Sequence, residues 1–260
     1  MPVTIKITKQ LLDLYYVKYN NQLSSKDPVW KLSNVNSKSD KEVLAFIISC
    51  YSYGNITQIN NFIEKVLGFT SLNIYDFILN YKRSSKEAGL DFRYRFNTTQ
   101  DFFDLIHGLS VIFKKYGSLK HLFLKYYNNN DGNILIALNG FTSEIRQIAK
   151  GSKSFEYLVP LVSKKSTCKR LMLFLRWMVR KDKIDLGLWG KSVDTSKLIM
   201  PVDIHVYRAA RKYKLTERKS YDMKFAIELT NKLKQYDPKD PVKYDFALCH
   251  LGVDRVSLKP

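Results

Sequence analysis

The sequence predicts an all-α fold, and three observations lead to this. Apolar residues recur at helical spacing over most of the chain. Strand-like alternation is scarce: only FRYRF at 92–96 shows it, and because this segment leads directly into a helix opened by Thr98 and Thr99, we expect a loop there. With 260 residues, 45% of them hydrophobic, the chain can bury one large core or two packed helical subdomains.

The first half of the chain contains a series of amphipathic segments separated by glycine and polar residues. A helix over 5–19 is followed by a polar loop containing Pro28. The next helix is expected over 41–53, capped by Ser39 or Asp40 and ending near Gly54. Further helical patterns cover 56–67, 73–82, 98–115, 118–127 and 141–149.

Three segments of the second half predict helices with distinct surroundings. KRLMLFLRWMVR, residues 169–180, is apolar nearly all round and is therefore expected to be central. Asp203 is placed to cap an amphipathic helix, and Asp240 with Pro241 is typical of a third helix start. We therefore predict one catalytic unit over 1–260, with helical subdomains over 40–150 and 151–260.

The charge of the chain is strongly positive. Lys and Arg number 43 against 24 Asp and Glu, so the formal net charge is 43 − 24 = +19. The stretch 150–183 alone contains ten basic and two acidic residues, or 10 − 2 = +8. Nucleic acid is the first partner that such an excess indicates, and an anionic membrane surface or merely solubilising charge are the alternatives.

Cysteine usage and hydropathy exclude several classes of protein. Cys50, Cys168 and Cys249 are widely separated and form no CxxC pair, so neither a zinc site nor an iron–sulfur cluster is predicted. The N-terminal MPVTIKITKQ lacks the apolar core of a signal peptide, and no run of 18 apolar residues occurs. We expect a cytoplasmic protein with no metal, no cofactor and no membrane partner.

Lys169 is the residue with the most reactive predicted setting. It lies in the first turn of a buried helix, where the helix dipole and the nearby Arg176 and Arg180 would disfavour its protonated form. A partly neutral amine can attack a sugar carbon and form a Schiff base. The alternative is that Lys169 contacts solvent or phosphate beside Lys164 and Lys165.

Carboxylates in the following segments could assist such an amine. Asp203, fixed and ionised by capping, could deprotonate the amine or stabilise an oxocarbenium-like sugar, although capping alone explains its presence. His205 is interpreted as a core or phosphate-contacting residue. Asp245 could pair with a basic residue or accept a hydrogen bond from a bound base.

These residues resemble a known superfamily. A helix with Lys near its start, followed by Pro201, Asp203, His205, Val206 and Arg208 in a P-x-D-x-H-V-x-R pattern, resembles the helix-hairpin-helix DNA glycosylases. KRLMLFLRWMVR, DLGLW, PVDIHVYR and DPVKYDFALCHLG together resemble an uncharacterised bacterial family allied to it. The spacing from Lys169 to Asp203 is similar to that of the archaeal 8-oxoguanine glycosylase branch. The resemblance is strong over 160–255 and continues weakly over 40–125, where SYGN and FRYRFN recur.

The resemblance implies a monomeric, nucleoid-associated base-excision repair enzyme that acts on double-stranded DNA. It would flip out an oxidised purine, 8-oxoguanine, into a site between two helical subdomains, with Lys169 attacking C1′ and Asp203 assisting. Elimination from the Schiff base would then nick the strand. Contacts to the base are expected from Asp245, Arg176, Tyr53 and Asn55. Contacts to the DNA backbone are expected from Lys164, Lys165, Ser166, Arg170, His205 and Arg208.

Two departures from the superfamily pattern matter. The glycine-rich hairpin is replaced by VSKKSTC at 162–168, so Lys164, Lys165 and Ser166 would have to bind phosphate through their side chains. The four-cysteine cluster motif of the endonuclease III branch is missing. Two other functions therefore stay open: a glycosylase for another damaged base, and a non-catalytic helical module that binds DNA or RNA.

Overall fold

A computed structural model describes residues 7–20, 26–84, 87, 89–163 and 165–253. Over these residues the chain forms twelve α-helices and no strand, so the all-α prediction is confirmed. FRYRF at 92–96 is a loop, in which Tyr94 and Asn97 form an isolated bridge. None of the helices in these ranges is long and apolar enough to cross a membrane. The chain divides into two compact units, residues 26–162 and residues 1–25 with 163–260.

The unit formed by residues 26–162 contains a 3₁₀ segment and seven α-helices. The 3₁₀ segment spans Pro28–Asn34, and the helices are α2 (Lys38–Tyr51), α3 (Ile56–Phe69), α4 (Ile74–Asn80), α5 (Thr99–Tyr116), α6 (Leu119–Asn128), α7 (Ile134–Ala149) and α8 (Lys153–Leu158). The long helix α5 contacts α4, α6, α7 and α8 and is the centre of the unit. Buried aromatic residues, among them Phe46, Phe102 and Phe141, fill its core.

Local capping explains where α5 begins and ends. Thr98 and Asp101 form a capping box, in which each side chain accepts a hydrogen bond from the other residue's backbone N–H. Gly117 ends the helix in the left-handed conformation, at φ +76°, which glycine adopts without strain. Ser118 then caps α6.

Of the helices that the structure describes, the other unit contains the first and the last four. They are α1 (Lys9–Tyr19), α9 (Lys169–Val179), α10 (Ile204–Lys212), α11 (Met223–Lys234) and α12 (Asp245–Val253). Every residue of α9 from Leu171 to Val179 is buried, as the nearly continuous apolar sequence predicts. Helix α12 packs against both α10 and α1.

Four predicted helix starts differ from the structure. Helix α1, predicted from residue 5, begins at Lys9 because Thr8 caps it. Helix α2 begins at Lys38 because Ser37 caps it, so Ser39 and Asp40 lie inside its first turn. Helix α7 begins at Ile134, capped by Asn133, rather than at 141. Asp240 makes no side-chain cap: its carboxylate is bound to Arg180, and a 3₁₀ turn over Pro241–Tyr244 precedes α12.

Candidate active site

Lys169 and Asp203 meet at the start of two helices of the same unit. The Nζ atom of Lys169, in the first turn of α9, lies 3.2 Å from Oδ2 of Asp203. The other carboxylate oxygen, Oδ1, caps α10 by accepting hydrogen bonds from the backbone N–H groups of His205 and Val206, each at 2.9 Å. The side chains of Lys169 and Asp203 are 33% and 20% exposed, so solvent reaches the pair. The two oxygens of Asp203 thus have separate partners, the helix end and the lysine.

The segment before Asp203 is held by two hydroxyl groups. The carbonyl of Val202 accepts hydrogen bonds from the hydroxyls of Thr167 and Tyr221, both at 2.9 Å. Thr167 directly precedes Cys168, the N-cap residue of α9, which adopts the left-handed conformation at φ +49°. Thr167 therefore ties the beginning of α9 to the residue next to Asp203, which keeps the lysine and the carboxylate together.

The electrostatics of Asp203 favour its ionised form. Burial alone would raise the pKa of this carboxyl, but the attraction of Lys169, the hydrogen bonds it accepts and the nearby His205 lower the pKa below its usual 3.8. Burial also raises the pKa of Tyr221. The charges of both Asp203 and Lys169 act on that hydroxyl, which places it at the edge of the site.

Asp245 and Arg176 form a buried ion pair close to this site. Nη1 of Arg176 donates to Oδ2 of Asp245, and its guanidinium carbon lies 4.9 Å from the ring centre of Phe246. Burial raises the pKa of Asp245 to about 6 against the opposing effect of Arg176, and the negative charge of Asp203 adds to the rise. Asp245 therefore interacts electrostatically with the Lys169–Asp203 pair, and it titrates closer to neutrality than an ordinary carboxyl.

Arg176 in α9 and Arg180, which directly follows this helix, are paired with carboxylates. Nε of Arg176 donates to both oxygens of the fully buried Asp185, at 3.1 and 3.2 Å. Arg180 binds Asp185, Asp240 at 2.8 Å and Asp182 at 3.0 Å. Burial alone would lower the pKa of Arg180, but these three carboxylates raise it. Both arginines are therefore paired with aspartates, and their effect on the protonation of Lys169 stays a prediction.

Gly252 lets α12 approach α10 beside Asp203. A β-carbon at position 252 would lie 2.0 Å from the carbonyl oxygen of His205 and 2.6 Å from its carbonyl carbon. Glycine within a helix costs about 1 kcal/mol relative to alanine, so its presence here has a packing reason. The close contact fixes the distance between α12, which carries Asp245, and the helix that Asp203 caps.

The residues predicted to contact the DNA backbone lie next to Lys169 and Asp203 in the sequence. Lys165, Ser166 and Arg208 are exposed, while Arg170 and His205 are partly buried. The hydroxyl of Ser166 accepts a hydrogen bond from the backbone N–H of Cys168 at 3.1 Å. Nδ1 of His205 is buried and has no hydrogen-bond partner in the part of the chain that the structure describes. Lys164 lies outside the described residues.

Tyr53 and Asn55 belong to the other unit, 26–162. The hydroxyl of Tyr53 donates to Oδ1 of Asn97, and its ring contacts those of Tyr94 and Tyr157. Asn55 is exposed and caps α3 by accepting a hydrogen bond from Thr57 N–H at 2.8 Å. Their contacts within this unit are structural, and a contact to a base stays a prediction for both.

Sequence reasoning missed Asp185, Thr167 and Tyr221. Asp185 lies in a loop, where no periodicity indicates that its side chain is completely buried between two arginines. Thr167 and Tyr221 act through one backbone carbonyl, which no motif marks. In the ranges that the structure covers, no group of three or more His, Cys, Asp or Glu side chains is placed to hold a metal ion.

The chain matches a known protein family over most of its length. The family described as "Protein of unknown function (DUF2400)" matches residues 27–254. The chain belongs to this family. The DUF2400 match includes Lys169, Asp203, Asp245 and Gly252, together with most of the unit formed by residues 26–162. Searches of curated proteins and of solved structures find no match to the chain.

Proposed function

We propose that this chain is a DNA glycosylase with AP-lyase activity, built on a helix-hairpin-helix glycosylase-like fold. Its substrate would be double-stranded DNA containing an oxidised purine, 8-oxoguanine, and it would act in the cytoplasm on nucleoid DNA. The observation that carries the proposal is the 3.2 Å contact between Nζ of Lys169 and Oδ2 of Asp203, whose other oxygen caps a helix.

The first chemical step needs a proton acceptor beside the lysine. In the proposed reaction Lys169 gives up a proton, its nitrogen bonds to C1′ of the flipped nucleotide, and the N-glycosidic bond breaks with its electron pair leaving on the base. Asp203 is an acceptor within reach of the ammonium. When the lysine becomes neutral, the attraction that lowers the pKa of Asp203 disappears, and the carboxyl becomes a better base.

The later steps follow from the same pair. After the sugar ring opens, the adduct is a Schiff base, which withdraws electrons from C1′. Loss of a proton from C2′ then expels the 3′-phosphate and nicks the strand. Asp203, whose Oδ1 is hydrogen-bonded to the start of α10, would stabilise positive charge that develops on the sugar while the base departs.

Asp245 supports a purine substrate in this proposal. Its pKa of about 6 allows it to accept a hydrogen bond from a purine N–H when ionised and to donate one when protonated. Arg176 holds the Asp245 carboxylate in place and is only 2% exposed, so its support of the base would be indirect. Among the exposed cations near the pair, Lys165 and Arg208 would bind phosphates on either side of the lesion.

Release of free 8-oxoguanine from a duplex tests the proposal. Wild-type protein, Lys169→Ala, Asp203→Asn and a matched control, Lys165→Ala, are compared under single-turnover conditions. We expect Lys169→Ala to abolish release and Asp203→Asn to slow it by about 100-fold or more, the range for loss of a positioned proton-transfer group. Lys165→Ala removes one equally positive, exposed side chain and should only weaken binding. Equal rates for all four proteins would contradict the proposal.

The second candidate is a non-catalytic helical module that binds nucleic acid. The net charge of +19 and the exposed Lys165 and Arg208 favour it. Under this alternative Lys169 contacts phosphate, so Lys169→Ala and Lys165→Ala would weaken DNA binding alike. Undiminished binding by Lys169→Ala with loss of base release would decide for the enzyme. A panel of duplexes with oxidised pyrimidines and alkylated bases separates the third possibility, a glycosylase for a different lesion.

A further inference from the structure

A two-residue turn in the unit 26–162 presents an arginine and a phenylalanine to solvent. The backbone N–H groups of Tyr94 and Asn97 each donate to the other residue's carbonyl at 2.9 Å and close the turn. Arg95 and Phe96 lie at its tip. Arg95 adopts the left-handed conformation at φ +55°, and the Phe96 side chain is 51% exposed. A non-glycine residue in this conformation stores some strain, so the surrounding structure must hold the turn.

Buried polar groups provide that support. Asn97 is only 1% exposed, and its Nδ2 donates to Asp101 at 3.1 Å and to the carbonyl of Ser154 at 2.7 Å. Its Oδ1 accepts a hydrogen bond from the hydroxyl of Tyr53. Asp101 also accepts from the hydroxyl of Ser154 at 2.6 Å. The base of the turn, next to Phe96, is therefore held by Tyr53, Asp101 and Ser154.

The Phe96 ring contacts other aromatic rings. Its ring centre lies 4.6 Å from that of Tyr157 and 5.4 Å from that of Tyr53. Tyr157 is 45% exposed, so two adjacent large aromatic side chains face solvent. A flat aromatic group that bound here would bury the exposed apolar area of these rings. Such binding is favourable, because aromatic rings stack readily on one another.

Cations border these rings. The Arg95 guanidinium lies 6.0 Å from the ring centre of Tyr53, and it pairs with no carboxylate among the residues that the structure describes. Arg93 is also exposed and is paired with Asp91 at 2.9 Å. A cavity of about 360 Å³ adjoins the turn, and its lining includes Lys65, Arg93, Arg95, Gln58 and Asn61. Positive charge and amide groups thus lie next to the exposed rings.

We propose that Phe96 and Tyr157, whose rings are inclined at 71° to each other, form a platform for one unpaired nucleobase, which stacks on one ring and meets the other edge-on. Arg95 and Arg93 bind the neighbouring phosphates. Every nucleobase has an aromatic face, so stacking on such rings requires no particular sequence, and arginine binds phosphate through paired hydrogen bonds. The occupant would be a single-stranded segment of nucleic acid. This surface is independent of the Lys169 chemistry, so the two proposals can fail separately.

Binding of a fluorescent oligothymidylate to the full-length chain tests the platform. We expect the double variant Phe96→Ala/Tyr157→Ala to bind about 5- to 150-fold more weakly, the range measured for loss of one stacked base. Ile136→Ala, which removes a similarly exposed apolar side chain from α7 of the same unit, is the matched control and should bind as wild type does. Phe96→Trp should retain the affinity, and the fluorescence of the new tryptophan should be quenched by the oligonucleotide.

Two results would overturn the proposal. One is wild-type affinity in the double variant, shown by its melting temperature to be folded. The other is a wild-type chain that self-associates in sedimentation experiments, with the double variant monomeric and its oligonucleotide affinity unchanged. That second result would assign the rings to contact with another copy of the chain.

Discussion

Replacing Asp203 by asparagine and by alanine separates the two roles of its side chain. Asparagine caps a helix as well as aspartate does, so Asp203→Asn should retain the hydrogen bonds to His205 and Val206 and lose only the charge facing Lys169. Alanine loses both. The difference between the two variants therefore measures the cap, and the effect of asparagine measures the ion pair.

The structure gives an expected size for each part. Loss of an N-cap side chain costs about 0.5–2 kcal/mol of the free energy of unfolding. Because the Lys169 side chain is 33% exposed, solvent screens the ion pair, and we expect about 0.2–1 kcal/mol from it. Asp203→Asn should thus be destabilised by less than about 1 kcal/mol, and Asp203→Ala by about 1–3 kcal/mol.

Urea unfolding monitored by circular dichroism at several pH values checks these values. The folded pKa of Asp203 is lowered below 3.8, so the advantage of wild type over Asp203→Asn should be present above pH 3.8. It should disappear as the pH falls through the lower, folded value. Equal destabilisation by asparagine and alanine would refute the assignment of the cap. An advantage that grows as the pH falls would refute the assignment of the ion pair.

Three further predictions concern the rest of this unit. Gly252→Ala should lower the free energy of unfolding by at least about 1–3 kcal/mol, because its β-carbon would lie 2.0 Å from a backbone oxygen. The control Gly68→Ala, at a helical position with no atom within 4 Å, should instead stabilise the chain by about 0.4–1 kcal/mol in the same unfolding assay. Arg180→Met should be destabilised by about 3–5 kcal/mol, since it leaves buried carboxylates without their partner; a loss below 1 kcal/mol in denaturant unfolding would contradict this. For Asp245, whose pKa is raised to about 6, wild-type stability relative to Asp245→Asn should be greatest below pH 3.8 and fall as the pH rises through 6; a difference that does not change with pH would argue against the raised pKa.

The residues at helix ends were the most predictable part of the site. Asp203 precedes an amphipathic segment, and the structure confirms that it caps α10. Lys169 was predicted in the first turn of a buried helix, where the structure places it. Both predictions rest on local rules, since capping and helical periodicity depend on residues only a few positions apart.

Features that depend on distant residues could not be predicted. Asp185 is 0% exposed in its side chain and binds Arg176 and Arg180, but its own neighbourhood in the sequence looks like an ordinary loop. Helix α7 starts seven residues before the predicted position, because Asn133 caps it directly after a turn that ends at Gly132. The sequence pattern shows that a polar residue can cap a helix or form an ion pair, and tertiary packing decides between the two. Asp240, for example, was predicted to cap a helix, but its carboxylate binds Arg180.

The most direct test of the proposed chemistry is borohydride trapping on a duplex with one 8-oxoguanine, followed by peptide mapping of the cross-link. An abasic-site duplex and an undamaged duplex serve as controls. We expect a covalent complex with the lesion and abasic duplexes, with the modification on Lys169 and no complex in Lys169→Ala. A complex with the abasic duplex alone would retain the lyase step and exclude 8-oxoguanine as the substrate. A cross-link on a different lysine, or no complex with either duplex, would contradict the assignment of Lys169 as the nucleophile.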